Sequence, residues 1–180
     1  MTLVVTVVLL AQTVAPPPGL LWHGAAVHPG CIRELTTELA GPRPVVAAVD
    51  LEGCSRSNRY FEPAEALDAA LRWKTPDGGS FQYEYLGSLT NGVLVVRTGA
   101  SGGGTGFFQD QLFLRVTKST VLEDGKPRAR DMLTLAGSET LGDRAEVTVT
   151  LAADTVTIRR REFRGAAGYG PVVTTVRRVQ

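Results

Sequence analysis

Few side chains in this chain have the type and spacing to do chemistry. Asp110 stands out, because strand parity puts it on the same side as Phe108, Leu112, Leu114 and Val116, and an ionised carboxylate aimed at a core needs partners. One reading makes it a ligand-contacting acid beneath the glycine cluster Gly102-Gly103-Gly104-Thr105-Gly106. The other starts the strand near Gln111, or inserts a bulge, and leaves Asp110 exposed at the end of a sheet. His23 and His28 are the only histidines, and their spacing, with glycine and proline between, suits neither one helix face nor a zinc motif. A serine, Asp110 and one of these histidines could assemble in space into a hydrolytic site. Gly79-Ser80-Phe81 and Gly87-Ser88-Leu89, however, lack the Gly-x-Ser-x-Gly elbow that exposes a nucleophile. The glycine cluster has no lysine after it and precedes a strand, so neither a P-loop nor a dinucleotide fingerprint is present, and no helix N-terminus follows to hold an anion. No pattern calls for a cofactor or a metal.

Charge is uneven along the chain. The net charge is +1, which gives no strong attraction to nucleic acid, yet residues 159–180 hold six arginines against one glutamate. That segment is +5 and the remainder −4. Arg159, Arg161 and Arg177, with Arg160, Arg164 and Arg178, could line two neighbouring strands as a basic strip for an acidic partner, anionic lipid or nucleic acid. Only Phe163 and Tyr169 interleave with them, and Glu146 can neutralise part of the strip, so a solvated face explains the group more simply.

Cys31 and Cys54 are the only cysteines, and an even pair in an exported chain is usually bridged. Closing that loop of about 24 residues would stabilise by roughly 3 kcal/mol in the chain-entropy model. Leu3 to Ala11 is an apolar, threonine-containing run, too short to span a bilayer but suited to the hydrophobic region of a secretory signal. Thr13 and Ala15 are acceptable at a cleavage site, although no basic residue precedes the run and Pro16 follows directly; the alternative for this run is a buried first strand. The expected organisation is a signal peptide over 1–15, a loop with a short helix over 16–44, and one β-domain over 45–180, clipped to the preceding section by Cys31 and Cys54.

The elements that would position these residues are mostly hairpins. Asn91-Gly92 between strand-like runs reads as a two-residue turn, which would pair Thr90 with Val93, Leu89 with Leu94, Gly87 with Val96 and Tyr85 with Thr98. Tyr83, Tyr85, Leu89, Leu94 and Val96 then share an apolar face, and Gln82, Glu84, Ser88 and Arg97 a solvated one on which Glu84 and Arg97 meet diagonally. Asp124-Gly125 makes a second turn, aligning Leu112, Leu114 and Val116 with Leu133 and Leu135, and Lys118 with Asp131. A third pairing sets Leu151 against Val156, Val149 against Ile158 and Glu146 against Arg161. Pro29 opens a helix through Cys31, Leu35 and Leu39; Val45 to Leu51 alternates as a strand; Pro63 to Ala70 reads as helix.

With 180 residues and turn signals between short runs, the expectation is a mainly β domain. It should be an antiparallel sandwich or barrel of about eight strands, with one or two short helices near the N-terminus. Its expected role is non-catalytic: an extracytoplasmic (periplasmic or secreted) monomer, a binding or structural module of a bacterial cell envelope. Its partner would be a protein or small ligand rather than nucleic acid, and the mature chain would have no transmembrane helix. The alternatives are the hydrolase built from Asp110 and His23 or His28, and the polyanion binder built on the arginine strip.

Overall fold

The computed structural model describes residues 19–36, 48–55 and 63–180. The signal-peptide region, Leu39 at the end of the expected first helix, and Val45 to Ala47 of the expected first strand lie outside these residues. In chain order the elements are β1 (Leu21–Trp22), β2 (Ala25–Ala26), α1 (Pro29–Arg33), β3 (Ala48–Asp50), α2 (Leu51–Ser55), β4 (Glu65–Leu67), β5 (Ala70–Lys74), β6 (Ser80–Ser88) and β7 (Leu94–Ser101). They continue with β8 (Phe108–Glu123), β9 (Lys126–Asp143), β10 (Glu146–Ala152), β11 (Thr155–Arg161) and β12 (Val173–Arg178).

The centre is an open seven-stranded antiparallel sheet in the order β3-β9-β8-β7-β6-β5-β4. It does not close into a barrel. Alternation along its strands makes both faces apolar, so two layers cover it. On one face Leu71, Trp73, Phe81, Tyr83, Val96, Leu112, Leu114 and Leu133 pack beneath α1, α2 and the small hairpin β1-β2, which supply Leu20, Val27, Ile32, Leu35 and Leu51. On the other face Leu89, Val93, Val95, Phe113 and Leu141 meet Val156 and Ile158 of a separate three-stranded sheet, β10-β11-β12. The expected sandwich is therefore present as two sheets face to face, with a third, largely helical layer behind.

The hairpin at Asp124-Gly125 has the expected two-residue form. Glu123 pairs with Lys126, both turn residues have positive φ (51° and 73°), and the alignment of Val116 with Leu133 and Lys118 with Asp131 follows. The pairing of β10 with β11 also has the expected register, from Glu146 opposite Arg161 to Leu151 opposite Val156.

The first hairpin departs from its expected register. Leu89 N–H donates to Val93 O and Gly92 N–H to Leu89 O, giving a three-residue loop, Thr90-Asn91-Gly92, with only Gly92 in the left-handed region (φ 80°). Asn91 is held by its side chain instead: Oδ1 accepts from Val93 N–H and Nδ2 donates to Val179 O at 2.6 Å. A bulge between Tyr85 and Gly87 resets the ladder, so that Tyr85 faces Val96 and Tyr83 faces Thr98. The consequence is that Leu89 joins the opposite face, beside Val93 and Val95.

Two further expectations are corrected. The helix expected over 63–70 is absent, and residues 65–74 form the hairpin β4-β5: Asp68 (φ 51°) turns the chain, and Leu71 and Trp73 alternate into the core. Helical spacing of alanines there is overridden by the pairing of β5 with β6 and of β4 with β5. The face carrying Glu84 and Arg97 is not a solvated one, because the three-stranded sheet sits over it. Glu84, Arg97, Gln111 and Glu139 are direct cross-strand neighbours in one polar row. Arg97 pairs with Glu84 and donates to Val147 O at 3.1 Å, and fully buried Gln111 donates to Val96 O at 2.9 Å. Among the described residues there are twelve strands where about eight were expected, because β1, β2 and β4, of two or three residues each, are too short to leave a periodic signature and β5 continues from a stretch with helical spacing.

Candidate functional site

Asp110 lies inside β8, two rungs from the loop that joins β7 to β8, between Thr98 and Thr140. The strand starts at Phe108, and a register shift between Gln109 and Asp110 bulges the β9 side of the ladder. The carboxyl is half-buried. Burial pushes it above the usual carboxylate range, and a hydrogen bond with Thr140 pulls the other way. The glycine cluster itself is pinned at its far end. Phe107 N–H donates to Asp143 Oδ1 at 2.7 Å, Arg144 grips both oxygens of the same carboxylate, and the Phe107 ring lies directly on Gly99, where any side chain would collide with it. The Arg144 guanidinium and the Phe107 amide hold Asp143 below the usual carboxylate range.

The histidines sit in another part of the molecule. His23 is in the β1-β2 turn (φ 48°), edge-on to Trp22. His28 caps α1, accepting from Gly30 N–H at Nδ1 (3.0 Å), and its ring meets Trp73 of β5 at 5.6 Å. From β5 to β8 is three strand spacings, about 14 Å. The structure thus does not bring His28 to Asp110, whose side-chain hydrogen bond is to Thr140.

Strand parity separates the arginines. Arg159 and Arg161 alternate outward with Thr157, while Arg177 is aligned with buried Val156 and reaches toward the large sheet, where Nε lies 2.9 Å from Glu139 Oε2. Arg160 likewise donates to Thr140 O. Arg161 pairs with Glu146 as the sequence indicated, lies over Tyr169 and donates to Gly170 O; Arg178 pairs with Asp154 at 2.7 Å. Three of the six charges are therefore matched by acids, two of which, Glu139 and Asp154, are distant enough in sequence to escape a local reading. Arg159 is exposed and has no acid partner among the described residues.

A feature with no signal in the sequence is an apolar groove of about 630 Å³. Leu21 and Trp22 of β1 form one wall, the Asp68-Ala69 turn another, and Tyr85, Leu94 and Val116 of the sheet its floor, with Leu51 of α2 beside them. Six separate segments contribute, so only the tertiary fold assembles it. The one trace in the sequence is that Val116 extends the apolar side of β8 beyond what β7 reaches, and it remains 38% exposed.

The wall of that groove is fastened by the disulfide Cys31–Cys54, which joins α1 to α2 with Cα atoms 6.0 Å apart. Tyr83 fastens it a second time. Burial keeps its phenol protonated, and it donates to Val27 O at 2.6 Å while accepting from Leu20 N–H at 3.1 Å. Among the described residues no group of histidines, cysteines and acids is placed to hold a metal ion, and no helix is long and apolar enough to cross a membrane. No family model, curated protein or solved structure matches this chain.

Proposed function

We propose that this chain is an exported, non-catalytic binding module of a bacterial cell envelope, which takes the apolar part of a small ligand or protein partner in the groove bounded by β1, the β4-β5 turn and the sheet. The observation that carries this reading is the buried Cys31–Cys54 bond: a disulfide persists in an oxidising compartment, and here it holds the layer that forms the groove wall. The polar groups inside the sandwich support the non-catalytic part. Glu84, Arg97 and Glu139 form ion pairs and Gln111 donates through Nε2 to Val96 O, contacts that join one sheet to the other or one strand to the next, while the buried Gln111 Oε1 has no hydrogen-bond partner among the described residues.

The test has two readouts on one preparation. Protein recovered from an oxidising compartment is expected to have an intact mass two hydrogens below that of its reduced form, with Cys31 and Cys54 blocked to thiol reagents. The same protein should enhance the fluorescence of an environment-sensitive apolar dye, and Leu21→Glu should weaken that binding by about tenfold, roughly 1.4 kcal/mol. Free thiols in the exported protein, or dye binding unmoved by Leu21→Glu, would overturn the proposal.

A further inference from the structure

The hairpin β8-β9 is much longer than its neighbours. β7 accompanies β8 only as far as Leu94 opposite Leu114, so from Arg115 to Glu123 the outer edge of β8 carries no partner strand among the described residues. Nine residues at strand rise make an edge about 30 Å long. The arm is held in place from its other side: Arg130 pairs with Glu52 of α2 and Glu123 of β8, and Asp50 lies 4.0 Å away. Proteins usually protect such an edge with proline, a bulge or several charges. This one has no proline, no register shift after Leu114, and Lys118 as the only charge between Val116 and Leu122.

We infer that this edge is a dimer interface, in which β8 of one copy pairs antiparallel with β8 of a second across a two-fold axis at Ser119. The hydrogen-bonding phase permits it. Glu123 and Lys126 close a two-residue turn, so Glu123, Val121, Ser119, Thr117 and Arg115 spend their backbone groups on β9. Leu122, Thr120, Lys118 and Val116 then direct their N–H and C=O groups outward. A two-fold at Ser119 sets Thr120 opposite Lys118 and Leu122 opposite Val116 of the second copy, each outward-directed residue facing another.

The side chains select the same register. Leu122 is 78% exposed and Val116 is 38% exposed, and the pairing puts each against the other in two symmetric places. Arg115 falls opposite Glu123, which already holds Arg128 and Arg130 and so adds less than the apolar pairs. Sliding the strands by two residues one way stacks Lys118 on its own copy; sliding them the other way sets Val116 against Asp124 and Lys118 against Leu122. Only the Ser119 register matches apolar with apolar and opposite charges. The contact is isologous, so it closes as a dimer and does not propagate into a fibre. The second copy would also bring Leu122 to the rim of the groove at Val116.

The experiment compares full-length protein and variants by sedimentation equilibrium and by cross-linking. The wild type should show a concentration-dependent dimer. Thr120→Pro removes an outward N–H without removing a bond to β9, and Leu122→Glu puts a charge against Val116; each should weaken the dimer by at least about tenfold. Opposed Cβ atoms at a non-hydrogen-bonded pair are within reach of a disulfide, so Ser119→Cys should give a reductant-sensitive covalent dimer mapped to position 119, and Thr117→Cys, one rung away on the same face, should not. A wild type that stays monomeric at its highest soluble concentration, or equal cross-linking at positions 119 and 117, would overturn the inference. An edge occupied by the chain's own apolar run, residues 3–11, would give that overturning result.

Discussion

The two covers of the central sheet are built on different principles. The three-stranded cover is an antiparallel meander whose inward residues Val156 and Ile158 meet Val95 and Phe113 across a sheet-to-sheet gap, supplemented by the row from Glu84 to Glu139. Its stability comes from apolar area and cross-strand pairing. Among the described residues the N-terminal cover has two short helices and a two-rung hairpin, none of which could persist alone. It is held by attachment points: the Cys31–Cys54 bond, the Tyr83 hydroxyl bridging Leu20 and Val27, and His28 at the start of α1. A layer with little secondary structure of its own needs covalent or buried polar ties, whereas a layer of sheet needs only a complementary face.

That contrast can be broken most forcefully at Ile158. Ile158→Ala should cost about 2–5 kcal/mol, because the residue is fully buried between sheets, and amide exchange should rise first across β10 to β12. If exchange rises equally under α1, the covers are not independent. A smaller loss, about 3 kcal/mol, is expected from replacing Cys31 and Cys54 together by serine. There the exchange of residues 20–35 should accelerate while β10 to β12 stay protected, and uniform acceleration would show that the disulfide supports the whole sheet.

The smallest effect is expected from Asp110→Asn, and it sharpens the account of what the sheet tolerates between its covers. Burial raises the carboxyl's pKa in the folded chain, so the native state holds the proton more tightly than the unfolded state does. Stability from this group is therefore full below the unfolded pKa and declines as pH rises through the folded one. Asn in its place should leave the melting temperature at pH 3 nearly unchanged and raise it at pH 7 by a few degrees at most. A lower melting temperature at pH 7 would show that the carboxylate is needed in its charged form.

How far the chain could be read depended on how local each determinant is. The β10-β11 register and the β8-β9 register from the turn as far as Leu114 opposite Leu135 follow from turns and alternation within about twenty residues and are as expected, whereas the shifts at Phe113/Leu114 and Gln109/Asp110 have no local signal. The first hairpin has one loop residue more than its Asn-Gly pair predicts. Its Asn91 answers to Val179, which no local pattern reveals, and a bulge at Leu86 then changes the face that Leu89 takes. Residues 63–70 have helical spacing, yet β4 forms as a strand because β6 offers an edge to β5 and β5 offers one to β4. The arginines divided by strand parity only once β11 and β12 were placed against the large sheet. The groove could not be anticipated, since its lining is drawn from six short segments spread between residues 19 and 116.

The sequence by itself determined the class of structure, two of its three main hairpin registers and the single possible disulfide, because turn chemistry and period-two alternation act over neighbouring residues and two cysteines allow one pairing. Only the tertiary structure decided that both faces of the sheet are covered, that Glu84 and Arg97 lie between layers, and that the far half of β8 has no partner strand on its outer edge among the described residues. Those outcomes depend on which distant segment arrives at which face, and the free energy of such contacts is settled by burial and partner geometry that no local stretch contains.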